Sequence, residues 1–224
     1  MSHTGTLQSY QKGLRQVEAT RAYVDATRVM DVLIAGAALL FLAPLLIAIF
    51  MAVKVQDGGP GLFRHSRIGK GGKVFPCLKF RSMVLDADAR LDHLLSTDPS
   101  ARLEWEKDHK LRRDPRVTGL GSFLRKSSLD ELPQLINVLR GEMSLVGPRP
   151  IVPREAERYG SKLAAYCSVT PGITGLWQVS GRNDVSYRRR VAMDVIYSRR
   201  RSLAYNVMIL VKTLPAVLLR RGSY

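Results

Sequence analysis

Ser127–Pro150 reads SSLDELPQLINVLRGEMSLVGPRP. Two adjacent carboxylates, Asp130 and Glu131, open it, Gly141 stops a short helical pattern, and Arg149 sits between Pro148 and Pro150. Pro133 lacks an N–H and is tolerated only among the first helical positions, which puts the helix start near Leu129 or Asp130. Leu132, Leu135, Ile136 and Leu139 fall on one face at helical spacing. Asp130, Gln134 and Asn137 form a polar stripe on the opposite face, so the pattern predicts that Asp130 points away from the core. Taken alone, the acidic pair reads as a capping box from Ser128 to Glu131, both acids favouring the helix dipole. The continuing polar stripe and the stiff Pro-Arg-Pro turn nearby in sequence argue for a site instead.

Upstream of this stretch, Leu120–Arg125 predicts a helix that brings Arg125 just ahead of Asp130. Asp86–Asp114 mixes charges and reads as two surface helices. Asp86, Asp88 and Asp92 form a solvated face there, because the glycine and the twelfth-position glutamate of a calcium loop are missing. Gln56–Gly72 is glycine-rich and loop-like. Within it Leu62-Phe63-Arg64 predicts a short strand, and Val74–Arg81 a second strand that closes a hairpin. The Gly69–Gly72 run, GKGG, is plain turn chemistry and lacks the upstream glycine of a phosphate loop.

Further upstream, Val32–Val53 is a run of 22 residues without a charge, bounded by Asp31 and Lys54. A straight helix of that length spans about 33 Å, enough to cross a bilayer. Pro44 divides it into limbs of about 16 Å each, and an interior proline kinks a helix. Arginine or lysine flanks it on both sides: Arg15, Arg21 and Arg28 before, Lys54, Arg64, Arg67 and Lys70 after. That symmetry gives a single crossing no orientation and suits a segment that enters and returns on one face. Pattern alone leaves crossing and re-entry open. Residues 1–27 are polar and read as a loose tail or a surface helix.

Downstream, Pro153–Tyr166 reads as a helical segment and Pro171–Gly181 as glycine-rich turns, with Trp177 packed in the core. The tail alternates Arg188–Arg190, Arg199–Arg201 and Arg220-Arg221 with an apolar stripe of Val207, Leu210, Val211, Leu214, Val217 and Leu218. This fits either a helix at a membrane interface or a core helix with a basic end.

The chain has 224 residues, 35 basic and 19 acidic, for a net charge of +16. One domain with a sizeable core is expected, with a polyanionic neighbour. Helix-turn-helix, zinc and RNP patterns are missing, so nucleic acid is not the expected partner. Cys77 and Cys167 form no CxxC, which suits a reduced compartment. His3, His65, His93 and His109 lack metal spacing and read as surface residues.

Ser128–Pro150 closely resembles the hallmark of the monotopic phosphoglycosyl transferases, bacterial sugar transferases that begin glycan assembly on a lipid carrier. Two further blocks carry the same resemblance: Thr170–Asn183, TPGITGLWQVSGRN, and Leu78–Met83, LKFRSM. It runs from about Arg28 to Tyr224. It implies an α-rich α+β monotopic membrane protein: residues 1–31 as a tail or surface helix, a re-entrant helix-break-helix over 32–53 broken at Pro44, and a cytoplasmic catalytic domain over 54–224 carrying a small β-hairpin and an interfacial C-terminal helix. One departure is Ala43-Pro44, where the family often has Ser-Pro.

The resemblance further implies transfer of sugar-1-phosphate from a UDP-sugar to undecaprenyl phosphate, with release of UMP and an aspartyl-phosphosugar intermediate on Asp130. The donor sugar is glucose or galactose, with an N-acetylated donor as the alternative. Catalysis falls to Asp130 and Glu131, with Mg²⁺ held by Asp130. Arg149 and Arg125 are the candidates for holding phosphate oxygens. Lys79, Arg182 and Asp194 match family positions. Membrane lipids are expected partners, with the catalytic domain on the cytoplasmic face of the bacterial inner membrane. The oligomeric state is open, a homodimer among the options. From physical chemistry, Asp130 at a helix start is expected to be held firmly ionised. The competing classes are a basic membrane-anchored nucleic-acid binder and a non-catalytic scaffold.

Overall fold

In the computed structural model the backbone is described for residues 3–108, 111, 113–181 and 185–218. The first element is one long helix, α1, His3–Asp57. It ends where Gly58 takes a positive φ of 73° and its N–H returns to the Lys54 carbonyl, a left-handed glycine cap. The helix is assigned without interruption through Pro44, so the expected break does not show as a gap, and the boundaries expected at 31 and 53 fall inside it.

The apolar stretch of α1 is attached near both ends and bare in the middle. Ala35 packs in a core with Val138, Met143 and Leu145. Arg28 donates to the Val138 and Leu139 carbonyls. Toward the other end, Ile49 and Val53 pack with Phe80 and Leu124, while Arg81 donates to the Val53 carbonyl and pairs with Asp57. Between them Leu40 and Phe41 are 81% and 83% exposed.

The hairpin forms as expected, though its first strand is longer. Strand β1, Leu62–Ile68, pairs antiparallel with β2, Val74–Phe80, around a turn in which Gly71 and Gly72 both have positive φ. Two surface helices follow, α2 (Ala87–Thr97) and α3 (Pro99–Asp108), then α4, Gly119–Ser127, capped by the Thr118 hydroxyl. Asp86 pairs with Arg90 on an exposed face. His93 is exposed, but His65 is half-buried against Arg67, and burial with that neighbour's charge lowers its pKa to about 4. His3 and His109 lie outside the residues whose side chains are described.

The central stretch departs from the simple helical pattern. A 3₁₀ turn, Leu129–Glu131, precedes α5, Gln134–Leu139, whose N-cap is Pro133. Ser128 takes a left-handed φ of 58° as the C-cap of α4 and makes no side-chain cap, so no capping box forms. The buried face of α5 is Gln134, Leu135, Asn137 and Val138, while Leu139 is exposed. The polar stripe therefore faces inward, against the expectation. The reason is Asn137: its Oδ1 accepts from the Leu78 N–H at 2.9 Å and its Nδ2 donates to the Pro76 carbonyl at 2.8 Å. An amide satisfied by a strand backbone can be buried at little cost.

A second sheet was not expected. Strands β3 (Ser144–Val146) and β4 (Gly172–Thr174) pair in parallel. A Cβ on Gly172 would lie 2.0 Å from the Gly147 nitrogen, so only glycine permits this approach. Pro153–Tyr166 is not one helix: α6 (Ala156–Tyr159) and α7 (Leu163–Cys167) are separated by a turn beginning at Gly160, φ +49°. Within Pro171–Gly181 a short α8, Leu176–Val179, follows β4. Trp177 is buried, with the Arg190 guanidinium 4.6 Å from its ring centre. The last described elements are α9 (Tyr187–Arg200) and α10 (Leu203–Leu218), where Leu203, Val207 and Val211 stand exposed in one row. Leu214, Val217 and Leu218 lie outside the residues whose side chains are described.

Candidate active site

The 3₁₀ turn before α5 sets Asp130 and Glu131 beside β2 and the Pro148–Pro150 turn. Lys79 on β2 donates to Glu131 Oε1 at 2.6 Å, and Arg149 donates to the same oxygen at 3.2 Å. Lys79 Nζ lies 3.9 Å from Asp130 Oδ2, beyond hydrogen-bond range. Four of the expected residues thus converge: Asp130, Glu131, Lys79 and Arg149.

The two acids are treated unequally. Burial would raise the Glu131 carboxyl, but Arg149 and Lys79 outweigh it and bring its pKa down to about 2. Asp130 is 8% exposed and makes no hydrogen bond among the described residues. Burial raises its pKa, opposed by Lys79 and reinforced by Glu131. This reverses the expectation of a firmly ionised Asp130. A single 3₁₀ turn supplies little helix dipole, and the cations are spent on its neighbour. Asp130 does not point away from the core either; it is buried.

Arg67, Cys77, Lys79, Glu131, Gln134, Arg149, Pro150 and Ile173 line one cleft. Arg67 is a residue that sequence reasoning passed over. Its guanidinium donates to the Pro150 carbonyl at 3.1 Å, fixing the turn that presents Arg149. The Tyr166 hydroxyl donates to the Ile68 carbonyl at 2.8 Å and accepts from the Ile151 N–H at 3.2 Å, tying the same turn to β1. The available signal was the strand alternation of His65 and Arg67.

Arg125 stands on the Asp130 side of this group. It donates to the Ser82 hydroxyl at 2.8 Å, and its charge favours an ionised Asp130. Asp194 is elsewhere, inside a cage of tyrosines. It is 1% exposed, accepts from the Tyr159 hydroxyl at 2.7 Å, and leaves Oδ1 without a partner. Burial raises its pKa to about 7. Arg182 lies outside the described residues.

No group of three or more His, Cys, Asp and Glu side chains gathers to hold a metal among the described residues. Mg²⁺ does not need one: it is commonly held by one or two carboxylates together with substrate phosphates and water. Asp130, a buried carboxylate whose counter-ion Lys79 stands 3.9 Å away and is hydrogen-bonded to Glu131, fits that minimal role. The charge of the neighbouring acid is already met on the Glu131 side by Lys79 and Arg149.

Residues 22–220 match the family profile of the bacterial sugar transferases. The chain is 52% identical over 197 residues to an undecaprenyl-phosphate galactose phosphotransferase of Salmonella typhimurium, covering 88% of this chain and 41% of that protein. It is 52% identical over 199 residues to the exopolysaccharide production protein ExoY of Rhizobium meliloti, covering 89% of this chain and 88% of that one. A UDP-glucose:undecaprenyl-phosphate glucose-1-phosphate transferase of Caulobacter vibrioides is 38% identical over 205 residues, covering 88% and 71%. The chain thus spans about two fifths of the Salmonella relative and most of the Rhizobium one.

Proposed function

Because the chain belongs to the bacterial sugar transferase family, we propose that it moves a sugar-1-phosphate, of glucose or galactose, from a UDP-sugar to undecaprenyl phosphate, releasing UMP. Relatives named for glucose and galactose transfer support this donor class. The step would begin exopolysaccharide, capsule or O-antigen synthesis.

The observation that carries the reading is the unequal pair. Glu131 is neutralised by Lys79 and Arg149, whereas Asp130 is buried and without a hydrogen bond among the described residues. A carboxylate needs no base to act as a nucleophile, and one with few hydrogen bonds attacks more readily. An Asp130 oxygen attacks the phosphorus bearing the sugar. The bond from that phosphorus to the pyrophosphate bridging oxygen breaks, and UMP leaves with the electron pair. An oxygen of the lipid phosphate then attacks the aspartyl-phosphosugar at the same phosphorus and returns Asp130 as a carboxylate. Lys79, Arg149 and Arg125 stabilise the phosphate oxygens as charge redistributes, Arg149 as a fork held by its turn. When bound, Mg²⁺ on Asp130 would offset the negative charge of the pyrophosphate.

The proposed membrane placement is supported by α1. Both flanks of its apolar stretch dock on one domain while the middle is bare. That supports re-entry from the cytoplasmic face of the inner membrane over a crossing, which would put the flanks on opposite sides. The exposed row Leu203, Val207 and Val211, next to Arg199–Arg201, supports a second contact at the same interface.

The test is purified protein with Mg²⁺ and a sugar-labelled UDP-sugar, with and without the lipid phosphate. The reading expects about one UMP per enzyme without lipid, label held on the protein, and both lost in Asp130→Asn. Release of UDP, or full transfer by Asp130→Asn, overturns it.

A further inference from the structure

Two amides lie on α5, and they are provided for differently. Asn137, fully buried, is satisfied on every side: Oδ1 by the Leu78 N–H, Nδ2 by the Pro76 carbonyl and by Glu142. Gln134 is 3% exposed, lines the cleft, and has no hydrogen-bond partner among the described residues. Its amide is not among the polar atoms shut off from solvent without a partner, so it meets the open cleft, where its donor and acceptor can take a ligand.

The chemistry of the cleft narrows that ligand. Its cations, Arg67, Lys79 and Arg149, suit phosphate oxygens, with Glu131 already between two of them. A carboxamide carries no charge to offer and presents a donor and an acceptor together. Its natural complement is a hydroxyl, which is also both. Gln134 opens α5, four residues after Asp130 and just past the 3₁₀ turn that carries it. If Asp130 attacks the sugar-bearing phosphorus, the neutral group nearest that atom is the sugar ring.

We propose that Gln134 hydrogen-bonds a ring hydroxyl of the transferred sugar. This rests on the transfer reading above. The amide holds the sugar still while the phosphorus passes from the UMP oxygen to Asp130. It also rejects a donor lacking that hydroxyl, because the bound donor would cover the amide and leave it unpaired.

The experiment is a cycle between enzyme and donor. Initial rates of UMP release are measured for wild type, Gln134→Met and Gln134→Ala with the preferred UDP-hexose and with its 2-, 3-, 4- and 6-deoxy forms, and folding is checked by thermal unfolding. Wild type is expected to lose about tenfold in kcat/KM with one deoxy donor. A folded Gln134 variant is expected to lose about tenfold with the full donor and nothing further with that deoxy donor. Equal loss across all donors makes Gln134 a structural residue and overturns the proposal, as does a wild type indifferent to every deoxy form. Failure of wild type to release UMP from any full UDP-hexose sinks the transfer reading itself and the role of Gln134 with it. A flat result for the variants on an active enzyme sinks only the latter.

Discussion

Lys79 gives its hydrogen bond to Glu131, at 2.6 Å, and holds Asp130 only through space, at 3.9 Å. One ammonium thereby binds the neighbour and tunes the proposed nucleophile. Asp130 is raised by burial and by Glu131 and lowered by Lys79, Arg125 and Arg149. Removing Lys79 leaves the raising influences and takes away a lowering one. In Lys79→Met the acidic limb of the UMP-release profile should therefore move to higher pH, beyond any uniform loss of rate. A limb that stays in place or moves to lower pH contradicts the assignment of that limb to Asp130.

Glu131 and Asp194 give opposite signatures in stability. The folded pKa of Glu131 is about 2 against an ordinary 4.5, so its contribution is complete above pH 4.5 and is lost as pH falls toward 2. Asp194 is raised to about 7 from 3.8, so the folded state binds the extra proton in that window and stability declines as pH rises through it. Asp194→Asn should remove the decline. Its melting temperature relative to wild type should be more favourable at pH 8 than at pH 5. A constant offset between the two pH values would mean that Asp194 does not titrate in this range.

What could be read from the sequence was what local pattern controls. The hairpin follows from two β-rich runs around glycines, and α2, α3 and α4 follow from their own periodicity. The parallel pair β3–β4 could not be read, because three-residue strands 28 positions apart carry no alternation. The orientation of α5 was misread for a similar reason: the partners of Asn137 lie 59 and 61 positions away in β2, so its amide looked solvent-facing. The candidate site residues were legible as a motif, but which acid is neutralised depends on Lys79, 52 positions from Glu131. Burial and charge pairing are tertiary properties, and the helix-dipole argument for Asp130 failed on them.

Asn137 is testable on its own terms. Asn137→Leu keeps the volume but leaves the Leu78 N–H and the Pro76 carbonyl without their partner. Destabilisation of about 1–3 kcal/mol is expected, read as a lower denaturant midpoint at unchanged slope. Since β2 carries Lys79, the loss should also weaken the Asp130 site. A variant as stable as wild type would mean that the β2 backbone finds other partners.

The last prediction concerns the two arginines that fasten α1. Arg81, with a side chain 7% exposed, pairs with Asp57 and also donates to the Val53, Pro60 and Met83 carbonyls. Arg28 donates to the last carbonyls of α5. Arg81→Ala removes the Asp57 pair together with the contacts to three carbonyls and should lower the melting temperature, whereas Arg28→Ala should cost about 1 kcal/mol. These clamps sit on either side of the bare Leu40–Phe41 region, so the proposed re-entry can be tested there. With Cys77 and Cys167 replaced by serine, single cysteines at Ala26→Cys and Gln56→Cys should both react with an impermeant maleimide in inverted inner-membrane vesicles. Neither should react in intact spheroplasts. Labelling of the two positions from opposite sides would establish a crossing helix, and the clamps could not then both hold in the membrane-bound protein.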